Sequence, residues 1–351
     1  MKKSDKIKVG ISVGDLNGIG VEVILKTFSD SRMLDFCTPI IFASSKAISF
    51  HKNKLNLNVA LNGISDLNQI VNHKINLYNI WKEEVDINFG KEDKTIGEYA
   101  FLSLKEAVKA LKNNEIDVLV TAPINKNTIQ SDDFNFKGHT EYLESQLTGE
   151  ALMILMTDDL RIGLITGHIP IKEVASSINK DLISKKVYNM HASLKQDFRI
   201  DKPKIAVLGL NPHCGDNGVI GEEDDKIIRP LMKKFQDQKM LVYGPYASDS
   251  FFGTEAYKKF DGVLAMYHDQ GLAPFKALSF GKGVNFTAGL DKIRTSPDHG
   301  TAFEIAGKGI ADHSSFKEAV FKALEIFKNR EEYKELTSNI LKLKKNRDFK
   351  K

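Results

Sequence analysis

Only two cysteines, Cys37 and Cys214, occur in 351 residues, and they lie far apart in the chain. That scarcity excludes a disulfide framework and fits a reducing compartment. No apolar run approaches the ~20 residues of a membrane-spanning helix. Residues Met1-Lys2-Lys3-Ser4-Asp5-Lys6 lead into a short strand pattern rather than an apolar signal-peptide core. The expectation is therefore a soluble, cytoplasmic protein with no membrane partner. A surplus of one charge is missing as well: 50 Lys plus Arg face 46 Asp plus Glu, a formal net charge of +4. Charge so small and so dispersed makes no nucleic-acid footprint. Its one concentration is Lys342-Leu343-Lys344-Lys345-Asn346-Arg347, read as a solvated helix end. Internal repeats, low-complexity tracts and Pro/Ser linkers are absent too. The length suits two domains on the prior of about 150 residues each, but nothing marks a clean division.

What is present is an alternation of short β-rich apolar runs with longer helical patterns, the sequence form of strand-helix-strand units around a mostly parallel sheet. Strands are expected at 7–13, 39–43, 118–122, 153–156, 162–166, 204–210, 241–243, 262–267 and 284–287. Apolar residues recurring at three- and four-residue spacing place helices at 20–28, 99–112, 182–195, 222–238 and 314–327. The fold class is α/β. Two domains built this way would have the chain crossing between them more than once.

Ligands of open α/β sheets gather at the carboxyl ends of the strands, where helix N-termini and free backbone NH groups point, and the polar motifs cluster there. The first strand runs into Gly14-Asp15-Leu16-Asn17-Gly18-Ile19-Gly20, a Gly-rich turn that is not the G-x-G-x-x-G dinucleotide fingerprint. Thr121-Ala122-Pro123-Ile124-Asn125-Lys126 offers a hydroxyl, an amide and an ammonium, or simply a helix cap and an exposed lysine. His168, His213 and His268 each follow an apolar strand. Imidazoles from several strand ends can converge on a divalent cation and leave positions open for substrate. Cys214 reads as a small residue packed under a Gly-rich turn rather than a fourth ligand. In Gly138-His139-Thr140-Glu141, site residues compete with a plain helix start capped by Thr140. Lys276 and Arg294, near Asn285, suit an anion, the forked guanidinium especially so.

Together these motifs, with Leu210-Asn211-Pro212-His213, Tyr267-His268-Asp269-Gln270-Gly271-Leu272 and Arg294-Thr295-Ser296-Pro297-Asp298-His299-Gly300-Thr301-Ala302, make the chain resemble the 4-hydroxythreonine-4-phosphate dehydrogenase family of pyridoxal phosphate biosynthesis, nearly end to end. The resemblance implies two α/β domains with mostly parallel sheets and an active-site cleft between them, as in the related isocitrate and isopropylmalate dehydrogenases. On that pattern residues 1–128 with 275–351 form the domain that carries the cofactor loop, and 129–274 form the domain with the metal site and dimer interface. It implies one divalent metal per site (zinc, magnesium, cobalt or similar) on His168, His213 and His268, shared between the subunits of a homodimer. His139, Thr140, Lys276, Asn285 and Arg294 would hold the phosphorylated hydroxy amino acid substrate. Segment 299–312 looks like the cofactor loop of the isocitrate and isopropylmalate enzymes, which places His299, Gly300, Thr301 and Asp312 near the adenosine half of NAD or NADP. Asp249 and Asp269 are candidates for the base. Leu16-Asn17 departs from the Pro-Ala frequent in the family, as do Asp216-Asn217 and Ala273-Pro274-Phe275 from their usual counterparts. Those departures leave room for a related substrate such as D-threonate or D-erythronate 4-phosphate. A metal-dependent hydrolase and a non-catalytic phosphometabolite sensor are the competing classes.

Overall fold

The computed structural model describes residues 6–279 and 281–339; the basic run at 342–347 lies outside the described residues. Twelve strands form it: β1 (Lys8–Ser12), β2 (Thr38–Ala43), β3 (Leu61–Ile64), β4 (Ile75–Asn79), β5 (Val118–Thr121), β6 (Gly149–Met156), β7 (Arg161–Leu164), β8 (Lys204–Leu208), β9 (Leu241–Tyr246), β10 (Gly262–Ala265), β11 (Val284–Leu290) and β12 (Ile293–Pro297). They make one continuous sheet in the order β3-β4-β2-β1-β5-β12-β11-β6-β7-β10-β8-β9. Strands β3 to β12 of that order pair in parallel, as do β7, β10, β8 and β9. Between these halves the steps β12-β11, β11-β6 and β6-β7 are all antiparallel. Three reversals make the two parallel halves run in opposite directions.

All nine expected strands are present. The two expected sheets prove to be one, because β11 and β12 bridge them. Strands β3, β4 and β12 carry no clear apolar signature. Asn62 and Gly63 interrupt β3, and the buried Asn76 of β4 is satisfied by Asn62 and by the backbone of Val71. Strand β12 reads Ile293-Arg294-Thr295-Ser296-Pro297 and is nevertheless buried throughout. Four expected helices occur, at Gly20–Ser29, Lys94–Lys112, Lys180–Gln196 and Ser314–Thr337. The fifth, 222–238, is a π-helical turn, Asp224–Ile228, followed by an α-helix, Arg229–Asp237. Pro230 has no amide to donate within such a run, and the Asp224 carboxylate is turned to accept from the amides of Leu210 and Asn211. Among the described residues no helix is long and apolar enough to cross a membrane. Both cysteines are free and buried, and Cys214 Sγ would lie 2.8 Å from a Cβ at Gly209, so it does pack beneath that turn.

Candidate active site

The antiparallel strands at the centre of the sheet floor a cavity of about 560 Å³. Alternation along a strand puts residues two apart on one face, and register aligns the floor: Asn285 of β11 lies opposite Ser296 of β12 and Leu155 of β6. Arg294 and Met153 extend those rows. Around the floor stand Thr121, Lys126, His139, Thr140, His168, His268, Asp269, Lys276, Asp298, His299 and Gly300. The helix His139–Gln146 begins with Gly138 as its N-cap, so Thr140 belongs to the first turn and is not the cap.

Arg294 is 2% exposed. Its Nε and Nη2 donate to Thr121 Oγ1 at 3.0 and 2.6 Å, and its Nη1 to Thr287 Oγ1 at 3.2 Å. Burial pushes the guanidinium down to about 9 against the opposing field of Glu141. Even there it stays cationic at neutral pH, and among the described residues no carboxylate lies within 4 Å to pair with it. An unpaired buried charge is costly, so a guanidinium held this way is arranged for an anion from outside. Three other polar atoms in the lining are buried without a partner: His139 Nε2, Asn285 Oδ1 and His299 Nε2. Each such orphan costs roughly 1–3 kcal/mol, and their concentration at one cavity marks where a ligand completes the bonding. Burial first, then the charges of Arg294 and Lys126, hold His139 well below the usual imidazole range, so it meets the ligand uncharged.

The rings of His168 and His268 lie 5.5 Å apart, centroid to centroid. His168 Nδ1 sits 3.1 Å from Glu141 Oε1 and His268 Nδ1 2.7 Å from Asp269 Oδ1. A carboxylate at Nδ1 fixes the proton there and leaves Nε2 as the lone-pair nitrogen, the usual arrangement behind metal-ligating histidine. The pair therefore fits a divalent cation. It is not a complete ligand set: among the described residues no group of three or more His, Cys, Asp or Glu is placed to hold a metal. His213 lines a second cavity, of about 420 Å³, with Asp249, Asp269 and Gln270. Its loop is unusual in backbone, with His213, Cys214, Asp216 and Asn217 all in the left-handed region, φ 43–55°. Strain of this kind persists where the surroundings over-determine it, and here Asp224 holds the loop's start. Val219 on this loop and Ile171 beside His168 are 81% and 71% exposed.

The segment expected to hold the cofactor is tied to the turn after β1. Ile19 N donates to Thr301 O, Lys26 Nζ donates to the carbonyls of Gly309 and Ala311, and Ala311 N donates to Glu22 Oε1. Gly14 is required in that turn: its φ is +67°, and a Cβ would lie 2.1 Å from Pro123 O. His299 and Gly300 reach the cavity, whereas Thr301 and Asp312 do not line it. Asp312 accepts from Ser314 N and Oγ at the start of the last helix, which holds its carboxyl below the ordinary range. The sequence offered Lys126 as an ammonium without a partner and gave no orienting role to Glu141; Lys126 Nζ lies 3.2 Å from His168 Nε2 and Glu141 Oε1 3.1 Å from its Nδ1. Both sit in motifs already noticed; only packing brings them to His168.

The family model described as pyridoxal phosphate biosynthetic protein PdxA matches residues 35–323. The chain belongs to this family. It is 48% identical to a 4-hydroxythreonine-4-phosphate dehydrogenase of Bacteroides thetaiotaomicron over 342 residues, 97% of this chain and 94% of that protein. It is 36% identical to a D-threonate 4-phosphate dehydrogenase of Cupriavidus necator over 328 residues, 92% and 98% of the two. The crystal structure of a 4-hydroxythreonine-4-phosphate dehydrogenase from Klebsiella pneumoniae superposes with a TM-score of 0.77 at 30% identity, covering 93% of this chain and 98% of that one.

Asn17 ties the turn after β1 to segment 88–91. Fully buried, it accepts from Asn88 N at 2.8 Å through Oδ1 and donates from Nδ2 to Lys91 O at 2.9 Å. Segment 88–91 in turn abuts the 299–312 segment, where Phe89 lies against Gly307 and Gly90 against Phe303 O. Asn17→Ala strands both backbone groups, a cost of roughly 1–3 kcal/mol. Amide hydrogen exchange at Asn88 should accelerate by about tenfold to a hundredfold; an unchanged rate would remove the clasp.

Proposed function

We propose that this chain is an NAD- and divalent-metal-dependent dehydrogenase that oxidises the C3 hydroxyl of 4-phosphonooxy-L-threonine. The resulting 3-oxo acid loses carbon dioxide to give 3-amino-2-oxopropyl phosphate, a step toward pyridoxal 5′-phosphate. The observation that carries this reading is a buried guanidinium without a carboxylate beside a pair of pre-oriented imidazoles, both facing one cavity. The dehydrogenase activity named for the Bacteroides thetaiotaomicron relative supports it.

On this reading Arg294 and Lys276 hold the anionic groups of the substrate, and neutral His139 with Thr140 and Asn285 supply polar contacts without adding charge. Fixing both ends of the acid converts binding energy into orientation of the reacting carbon. His168 and His268 of one subunit would hold the cation, with His213 of the partner subunit completing the set. The exposed Ile171 and Val219 flank those loops and suit a homodimer contact. When bound, the cation supplies Lewis acidity to the hydroxyl and then to the carbonyl oxygen during loss of carbon dioxide. His299, Gly300, Thr301 and Asp312 would lie near the adenosine half of NAD or NADP, which would supply the hydride acceptor. Asp249, on the His213 cavity, and Asp269, on both cavities, are the candidate proton acceptors. Asp269 is already engaged by His268, which leaves Asp249 the freer base. We place the enzyme in the cytoplasm, which suits two unpaired cysteines. We divide the chain at 1–128 with 275–351 against 129–274, which assigns β1–β5, β11 and β12 to one unit and β6–β10 to the other.

The relative from Cupriavidus necator makes D-threonate 4-phosphate the rival substrate. NADH formation should be faster with 4-phosphonooxy-L-threonine, should stop on chelation and should return with zinc, magnesium or cobalt. Turnover indifferent to chelator would contradict the reading. His213→Ala should lose bound metal and at least about a thousandfold in kcat, a loss of the size expected when a catalytic ion is removed, with folding unchanged; a variant that keeps both would remove His213. Arg294→Met should raise KM for the phosphorylated acid by about tenfold to a hundredfold, the worth of one charged hydrogen bond. An unchanged KM would take Arg294 out of the anion site.

A further inference from the structure

We propose that Lys126 is a substrate-anchoring residue of this site, donating to an anionic oxygen of the phosphorylated acid beside His168. The inference rests on the reading of the cavity as a phosphorylated-acid site and adds a residue that neither the motifs nor the relatives' names assign. Three observations carry it. Lys126 follows the end of β5 and lines the same cavity as Arg294 and Lys276. Its Nζ lies 3.2 Å from His168 Nε2, the nitrogen left with a lone pair because Glu141 holds Nδ1. Among the described residues it has no carboxylate within 4 Å, although Glu141 lies close by and is already engaged by His168.

An ammonium at that nitrogen stands where the reacting end of a bound acid must come. A cation coordinated by His168 takes the Nε2 lone pair, so the ammonium must give up that bond and turn to another acceptor. Two cations cannot share one lone pair. The substrate's own anionic oxygens are the acceptors that arrive at the same place, and a charged hydrogen bond to one of them is of the strong class. Lys126 is exposed and the stem of a lysine is flexible, so the move needs no change of fold. The alternative is a prop that merely positions the His168 loop. That role predicts the opposite response of metal retention.

Isothermal titration calorimetry on the zinc-loaded protein, without NAD, tests the assignment. The probes are 4-phosphonooxy-L-threonine, 4-hydroxy-L-threonine, which lacks the phosphate, and 1-amino-3-phosphonooxypropan-2-ol, which lacks the carboxylate. Lys126→Met should weaken 4-phosphonooxy-L-threonine by at least about tenfold, the lower range for a charged hydrogen bond. Lys126→Arg should recover most of that loss. Zinc retention during dialysis against a chelator should equal or exceed that of the unaltered protein, since a competitor for His168 is gone. A loss shared with 4-hydroxy-L-threonine alone assigns the contact to the carboxylate; one shared with the decarboxylated analogue alone assigns it to the phosphate. Either supports the proposal. Unchanged affinity overturns it, as does a loss that Arg fails to rescue and that zinc loss accompanies. If the unaltered protein binds none of the three probes, the reading of the cavity falls and takes the Lys126 assignment with it.

Discussion

Three antiparallel steps at the middle of the sheet are the constraint on which the site depends. Parallel half-sheets present their ligand-binding ends at the tips of strands, and here the halves run in opposite directions. Only the joining strands β12, β11 and β6 offer a face between them. Their register, Ser296 opposite Asn285 opposite Leu155, sets that face as a floor. Onto it the loops after β5, β7, β10 and β12 deliver Lys126, His168, His268 and His299. A slip of one residue in β11 or β12 would turn Asn285 and Arg294 to the opposite face.

Electrostatics then decides what the floor can accept. Arg294 is desolvated and, among the described residues, bonded only to hydroxyls, so its charge has no carboxylate partner and suits an anion from outside. His139, next to it, escapes a second buried charge by staying neutral. Two carboxylates at the site are spent on imidazole nitrogens, Glu141 on His168 and Asp269 on His268, and a third, Asp298, accepts from Ser315 Oγ. Among the described residues no carboxylate lies within 4 Å of the Arg294, Lys126 or Lys276 cation, while Nδ1 of both histidines is engaged and Nε2 is left with the lone pair. Polar groups that would be a liability in a closed core are tolerated because the cavity they line is where a ligand completes them.

The sequence was most legible where periodicity and burial agree. The nine strands and four of the five helices named from apolar pattern are present because each buries a continuous apolar face. Legibility failed where polar residues are buried for function or for edge pairing. Strand β12 looks like a loop because Arg294, Thr295 and Ser296 are polar, and they are buried because Arg294 binds Thr121 and Thr287 while Thr295 binds Ala319 O. The motifs foretold which side chains matter, and His139, Thr140, Lys276, Asn285, Arg294, His168 and His268 all line one cavity. No linear spacing carried Lys126 or Glu141 to His168, since that contact exists only once the loops after β5 and β7 are folded together. His213 stands apart for another reason. Of the three histidines expected to hold a metal, the chain turns His168 and His268 to this cavity and holds His213 on a strained loop facing another.

On the proposed reading the catalytic unit is a pair of chains, each lending His213 to the other's His168 and His268. Mixing two inactive proteins, His168→Ala and His213→Ala, measures this directly. A hybrid dimer of the two carries one doubly broken site and one with all three histidines intact. After subunit exchange, equal amounts should regain about a quarter of the unaltered activity, because half the dimers are hybrids and one site in two is whole. A mixture that stays inactive after exchange is demonstrated would mean that each site draws its three imidazoles from a single chain, and would contradict the account.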